Sequence, residues 1–144
     1  MNLSNNFTLE QLTASGVALK KGIPNVPNDE QKSNLTELAQ ALEGVQLLLG
    51  KIYIDSAFRS PKLNSAVGGS TTSAHLQGYA ADFVCPSFGS PKEICEALTG
   101  SGVHFDQLIQ EGTWVHISID PRMRGEVLTA HFSDGRVSYT QGLA

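Results

Sequence analysis

The sequence predicts an α+β fold, with helices packed against an antiparallel sheet. Three observations carry that expectation: a long apolar stripe at helical spacing early in the chain, alternating apolar and polar runs late in it, and two hairpin-type turns joining those late runs. With 144 residues, of which 40% are hydrophobic and 17% charged, the chain is expected to form one domain over 1–144 around a single core.

Each element has its own signal. Thr8 and Gln11 form a capping-box pattern that opens a short helix at Phe7–Leu12, which Gly16 is expected to end. The run Gly22-Ile23-Pro24-Asn25-Val26-Pro27 is extended, because proline fixes φ and removes an N–H. Asn28 caps the strongest helix, where Leu35, Leu38, Ala39, Leu42, Val45 and Leu49 share one face and Gly50 stops the run. Lys51–Phe58 alternates as a strand. Ser60-Pro61 opens a helix to about Val67, within the usual boundary error of ~2–4 residues. Gly68–Ser73 is a loop, Tyr79–Cys85 a strand, and Ser90-Pro91-Lys92-Glu93 starts a helix to Leu98 that Gly100 closes. Phe105–Glu111 and Trp114–Ile119 flank the two-residue turn Gly112-Thr113. Leu128–Phe132 and Arg136–Thr140 flank a three-residue loop, Ser133-Asp134-Gly135.

Charge excludes several partners. Ten Lys+Arg stand against 14 Asp+Glu, a net charge of −4, and the basic residues are dispersed, so neither a nucleic acid nor an anionic membrane surface is expected as a partner. No apolar run reaches the ~18 residues of a membrane span. The opening Met1–Phe7 lacks the basic and apolar regions of a secretory signal, which implies synthesis in the cytoplasm and delivery by other proteins. Cys85 and Cys95 fit no zinc knuckle and read as buried thiols; a monomer is expected.

Three polar residues interrupt apolar surroundings. Asp82 sits inside Tyr79–Cys85, His116 inside Trp114–Ile119, and His75 follows the glycine- and serine-rich loop. A buried carboxylate is costly unless it is paired or bound to a cation. With Gly112-Thr113 as the turn, Ile109 pairs with His116, and Ile109, Glu111, Trp114, His116 and Ser118 share one face. Leu108, Val115, Ile117 and Ile119 share the core face. Glu111 and His116 become diagonal neighbours, roughly 7–8 Å apart at the backbone.

Two imidazoles and a carboxylate suit Zn²⁺, which in catalytic sites takes three protein ligands and one water whose pKa falls to about 7. Glu111 suits a proton carrier beside that water, and Arg59, at a strand-to-helix turn, suits a clamp for a substrate carboxylate. On spacing alone, a metal site and a set of independently satisfied polar residues stand as alternatives.

The run Ser73-Ala74-His75-Leu76-Gln77-Gly78-Tyr79-Ala80-Ala81-Asp82 resembles the S-x-H-x-x-G-x-A-x-D signature of the zinc D-Ala-D-Ala peptidases of the M15 class. Glu111–His116 resembles that family's later E…W-x-H element, and Ser56–Asn64 with Val67–Ser70 resembles its S-x-Y-R-S-x-x-x-N…V-G-G-S segment. The opening Phe7-Thr8-Leu9 and Gly22–Pro27 are similar to the branch holding small phage and bacterial cell-wall peptidases. Phe58 stands where tyrosine is common. Thr113 occupies the position, three before the last histidine, where several members carry their acidic residue.

The resemblance implies a Hedgehog/DD-peptidase-like fold with one zinc ion held by His75, Asp82 and His116. It implies Glu111 as catalytic base and Arg59 as a carboxylate-binding or oxyanion-stabilising residue; Ser73 and Trp114 are expected to support or line the site. The expected activity is hydrolysis of peptidoglycan stem peptides or cross-links, as carboxypeptidase or endopeptidase, in a phage lysis or tail-associated setting. The alternatives are an inactive Hedgehog-like zinc module and a phage structural protein.

Overall fold

Local capping chemistry sets the helices of the computed structural model, which describes residues 1–143. Thr8, Asn28 and Ser90 each accept a hydrogen bond from the backbone N–H three residues on, and Gln11, Gln31 and Glu93 reciprocate. These caps begin α1 (Leu9–Thr13), α3 (Asp29–Leu49) and α5 (Pro91–Thr99). Ser60 caps α4 (Pro61–Ala66), with Pro61 in the first turn.

Gly16 does not end the first helix. Ala14 turns extended, Ser15 accepts from the Ala18 N–H, and a further helix, α2 (Gly16–Lys21), follows until Gly22 at φ 64° closes it. A serine cap outweighs the modest helix penalty of one glycine at the first position. The loop after α4 also ends in structure, a single 3₁₀ turn over Ala74–Gln77.

Six strands form one sheet: β1 (Tyr53–Ser56), β2 (Ala80–Val84), β3 (Gln107–Gln110), β4 (Val115–Ser118), β5 (Glu126–Ser133) and β6 (Arg136–Gln141). Their order is β1-β2-β4-β3-β5-β6. The sheet is mixed, not antiparallel as the sequence suggested, because β5 runs parallel to β3. The reason lies in the return loop. Buried Asp106 accepts from the Arg124 backbone N–H at 3.0 Å and from its guanidinium at 2.8 and 2.9 Å, and Gly125 N–H donates to Phe105 C=O at 3.0 Å. These bonds carry the chain back to the start of β3, so β5 leaves in the same direction. The last hairpin pairs Ser133 with Arg136, so its turn is the two-residue Asp134-Gly135, both at positive φ, and not the three-residue loop expected. That pair satisfies the left-handed requirement of a type I′ turn.

One face of the sheet is the core. Leu35, Leu38, Leu42 and Val45 of α3 and Ile94 and Leu98 of α5 pack with Ala81, Phe83, Leu108, Val115 and Ile117. The intervening residues Asp82, His116 and Ile109 point to the other face by strand alternation. Cys85 and Cys95 are buried free thiols, and burial pushes the Cys95 thiol up to about 12. No helix among the described residues is long and apolar enough to cross a membrane.

The Asp106–Arg124 pair makes a testable contribution to stability. Hydrogen bonds from Arg124 hold the Asp106 carboxyl below its ordinary value of 3.8. A depressed native pKa adds stability that is complete above the unfolded value and disappears as pH falls through the native one. Asp106→Asn is expected to cost about 1–3 kcal/mol in urea denaturation at pH 7. The gap from the unsubstituted chain should close as the medium is acidified below the ordinary aspartate range.

Candidate metal centre

The site is assembled by sheet register. Pairings across the sheet place Ser56, Asp82, His116, Ile109, Leu128 and Gln141 in one row. Directly opposite residues project from the same face, so Asp82 on β2 and His116 on β4 are brought together by backbone pairing alone. His116 Nδ1 lies 2.9 Å from Asp82 Oδ1.

His75 arrives from outside the sheet, on the 3₁₀ turn. Ser73 caps that turn by accepting from the His75 N–H at 3.2 Å. Two α3 side chains hold it from behind: Gln31 Nε2 donates to Leu76 C=O at 3.1 Å, and Asn34 Nδ2 to Gln77 C=O at 2.8 Å. Gly78 follows at φ 81°, and a Cβ there would sit 2.8 Å from the Gln31 carbonyl oxygen, so only glycine permits this approach. The His75 ring is fixed by Nδ1 against Ala57 C=O at 2.6 Å, which leaves Nε2 facing Asp82 Oδ1 at 3.3 Å. The two imidazole rings meet edge to face, centroids 5.1 Å apart.

One ligand atom from each of His75, Asp82 and His116 lies within 4.8 Å of the others. The donor set fits a divalent metal ion by three observations. His75 Nε2 is buried and has no hydrogen bond of acceptable geometry. Burial lowers the His75 pKa and keeps the imidazole neutral, with its lone pair available. Burial opposes the Asp82 charge, yet the hydrogen bond from His116 Nδ1 holds its carboxyl well below the usual carboxylate range. A neutral imidazole and an ionised carboxylate are the protonation states that metal ligation requires. The Nδ1 contact to Ala57 is the outer bond that orients a ligating histidine.

A cleft of about 830 Å³ opens over these atoms and is lined also by Arg59, Ser73, Glu111 and Trp114. The register of β3 and β4 is the one read from the sequence: Ile109 pairs with His116, and Glu111 N–H donates to Trp114 C=O at 3.0 Å. Glu111 is half-buried, and burial raises its carboxyl pKa against the opposing pull of His116 and Arg59. Arg59 is half-buried as well, with Nε lacking a partner; burial lowers its pKa while the charges of Asp82 and Glu111 oppose that. Trp114 both lines the cleft and packs on Phe132, ring centroids 6.3 Å apart.

Several supporting residues lie inside the motif segments, but their contacts leave no trace in local spacing. Asn25, inside the proline-flanked segment, donates to Thr13 C=O and Phe58 C=O at 2.9 and 3.0 Å and accepts from the Ser60 N–H at 2.7 Å. It thereby clamps both sides of Arg59. A Cβ at Gly69 would lie 2.1 Å from Asn64 Oδ1 and 3.1 Å from an Arg59 guanidinium nitrogen, so a larger residue there would displace the Asn64 side chain and crowd Arg59. Glycines and asparagines beside a motif were the available hint.

Metal binding is directly measurable. Titration with a divalent ion is expected to saturate at one per chain and to raise the unfolding free energy by about 2.7 kcal/mol at a hundredfold excess over Kd. Asp82→Ala should abolish that increment and leave the far-ultraviolet spectrum unchanged. Affinity should weaken as pH falls through the His75 value, which burial sets below the ordinary 6.5 of an imidazole.

Comparison with known proteins agrees with this geometry. No curated protein sequence matches the chain. A family profile described as peptidase M15 matches residues 5–118, a span that includes Arg59, all three ligand candidates and Glu111. M15 peptidases are metal-dependent hydrolases, and this chain, matched over most of its length and carrying the three donors in one cluster, belongs to the peptidase M15 family.

Proposed function

We propose that the protein is a zinc metallopeptidase of the Hedgehog/DD-peptidase fold, a single domain that hydrolyses peptide bonds in peptidoglycan stem peptides or cross-links. The observation that supports this most directly is the His75–Asp82–His116 cluster at the floor of a cleft that also holds a carboxylate and a guanidinium. Bound zinc supplies Lewis-acid polarisation of the carbonyl and lowers the pKa of water to about 7.

The chain's own residues do the rest. Glu111 is the base. Its half-buried carboxylate takes a proton from the attacking water and delivers it to the departing nitrogen. The water's oxygen bonds to the carbonyl carbon and the C–N bond breaks. Both protons end on the nitrogen, which leaves a carboxylate and an ammonium. Arg59, held at its turn by Asn25, fixes a substrate carboxylate or the developing oxyanion. Ser73 keeps the His75 turn in place, and Trp114 forms one wall.

The setting that fits this reading is a phage lysis or tail-associated enzyme acting at the cell wall, with peptidoglycan as its substrate. An inactive zinc module or a structural protein that borrowed the fold would have no use for a half-buried glutamate facing the cluster.

Two measurements decide the matter. Zinc-loaded protein should release new amino groups from purified cell walls. Glu111→Gln should keep the zinc and lose at least about 10²-fold in kcat. Zinc-bound protein that releases nothing would overturn the enzyme reading, and full activity in Glu111→Gln would remove Glu111 from the chemistry.

A further inference from the structure

The family match stops at residue 118, yet the cleft does not. Its far wall comes from the β5–β6 hairpin, through Leu128, Phe132, Val137 and Tyr139. Phe132 pairs with Val137 and Ala130 with Tyr139, so these side chains share the face that carries Asp82 and His116. Continuing the β3–β5 register by one residue sets Glu111 beside Ala130, with Tyr139 on the next strand. The methyl side chain of Ala130 keeps the floor low between them. Burial, with the nearby carboxylates of Glu111 and Asp82, raises the pKa of the Tyr139 hydroxyl.

Exposure on this wall is unusual for apolar side chains. Phe132, Val137 and Tyr139 are 57%, 46% and 48% exposed, and every residue of β6 is exposed. The opposite face of β6 carries the polar Arg136, Ser138 and Thr140. Apolar side chains gathered on one face of an edge strand, continuous with a polar centre, mark a binding surface.

Lined space also exists on the β1 side of the centre. A second cavity of about 430 Å³, between α2, β1 and α4, shares Arg59, Val67 and Asp82 as lining with the first. Sheet order therefore sets Asp82 and His116 between that cavity on the β1 side and the hairpin wall on the β6 side. A peptidase that removes one terminal residue needs a closed end to recognise the terminus; a groove open on both sides accepts chain beyond the bond on each side.

We propose that the β5–β6 hairpin is the wall that seats substrate on one side of the scissile bond, and that the protein cuts bonds inside a peptide chain. This rests on the peptidase reading above and selects the endopeptidase form of it. Phe132 and Tyr139 are the specificity-determining residues. They stack on an apolar or planar portion of the substrate, with Trp114 beside them.

The test uses the full zinc-loaded chain with two muropeptide preparations, uncross-linked pentapeptides and cross-linked dimers, and mass spectrometry of the products. Fragments carrying two or more residues on each side of the cut are expected. Release of single C-terminal residues alone would overturn this inference and leave the peptidase reading standing. A protein that cuts nothing overturns both. Binding is read separately in the zinc-loaded Glu111→Gln variant through the fluorescence of Trp114, the chain's one tryptophan, titrated with the cross-linked dimer. Phe132→Ser and Tyr139→Ser, both at exposed positions that leave the core intact, should each weaken binding roughly tenfold, the scale of one stacked aromatic ring. Unchanged binding in the double variant overturns the role of the hairpin. So does a concentration-dependent dimer that Tyr139→Ser dissolves, since the patch would then belong to a second copy of the chain.

Discussion

A single carboxylate held between two imidazoles organises this protein. Asp82 stays ionised at a site where its side chain is only 16% exposed, because His116 donates to Oδ1 from Nδ1. Removing a charge from water in this way costs several kcal/mol unless a partner or a cation compensates. The sheet, the 3₁₀ turn and the helix behind it can each be understood as what keeps those partners within reach.

The division of labour follows from that constraint. Backbone pairing positions Asp82 and His116, and it does so rigidly because β2 and β4 lie in the middle of six strands with the main core beneath them. His75 has no ladder to hold it. Instead, α3 supplies Gln31 and Asn34 to the carbonyls of its turn, Ala57 fixes its ring, and Gly78 allows the close approach. Arg59 is placed by the same kind of device, an asparagine that satisfies the backbone on either side of it. Loops carry the movable chemistry here, and side-chain amides from rigid elements restrain them.

The half of the sheet nearest the C-terminus obeys a different logic. Its link to the rest is the parallel β3–β5 pairing, secured at its start by Asp106 and Arg124. That anchorage leaves β6 as an open edge with apolar side chains over the cleft. An edge of this kind is a liability in solution, and its persistence next to a polar centre is intelligible if substrate covers it in use.

Much of this was legible in the residues themselves. The caps at Thr8, Asn28, Ser60 and Ser90 depend on hydrogen bonds within three residues, and the β3–β4 register depends on a two-residue turn, so local sequence contains all the information they need. Asp82 and His116 were legible as polar residues inside apolar strands, whereas their meeting with His75 around one ion was implied by the family resemblance and not by spacing. The helix at Gly16–Lys21, the parallel strand, the asparagine and glutamine clamps and the hairpin wall were not legible. The first turned on one serine cap against a glycine; the others depend on contacts between residues 12 to 45 positions apart. Contacts at that separation carry no periodicity and no spacing rule. Only the closed tertiary structure, where loop entropy has already been spent and backbone groups must find partners, decides which distant side chains meet them.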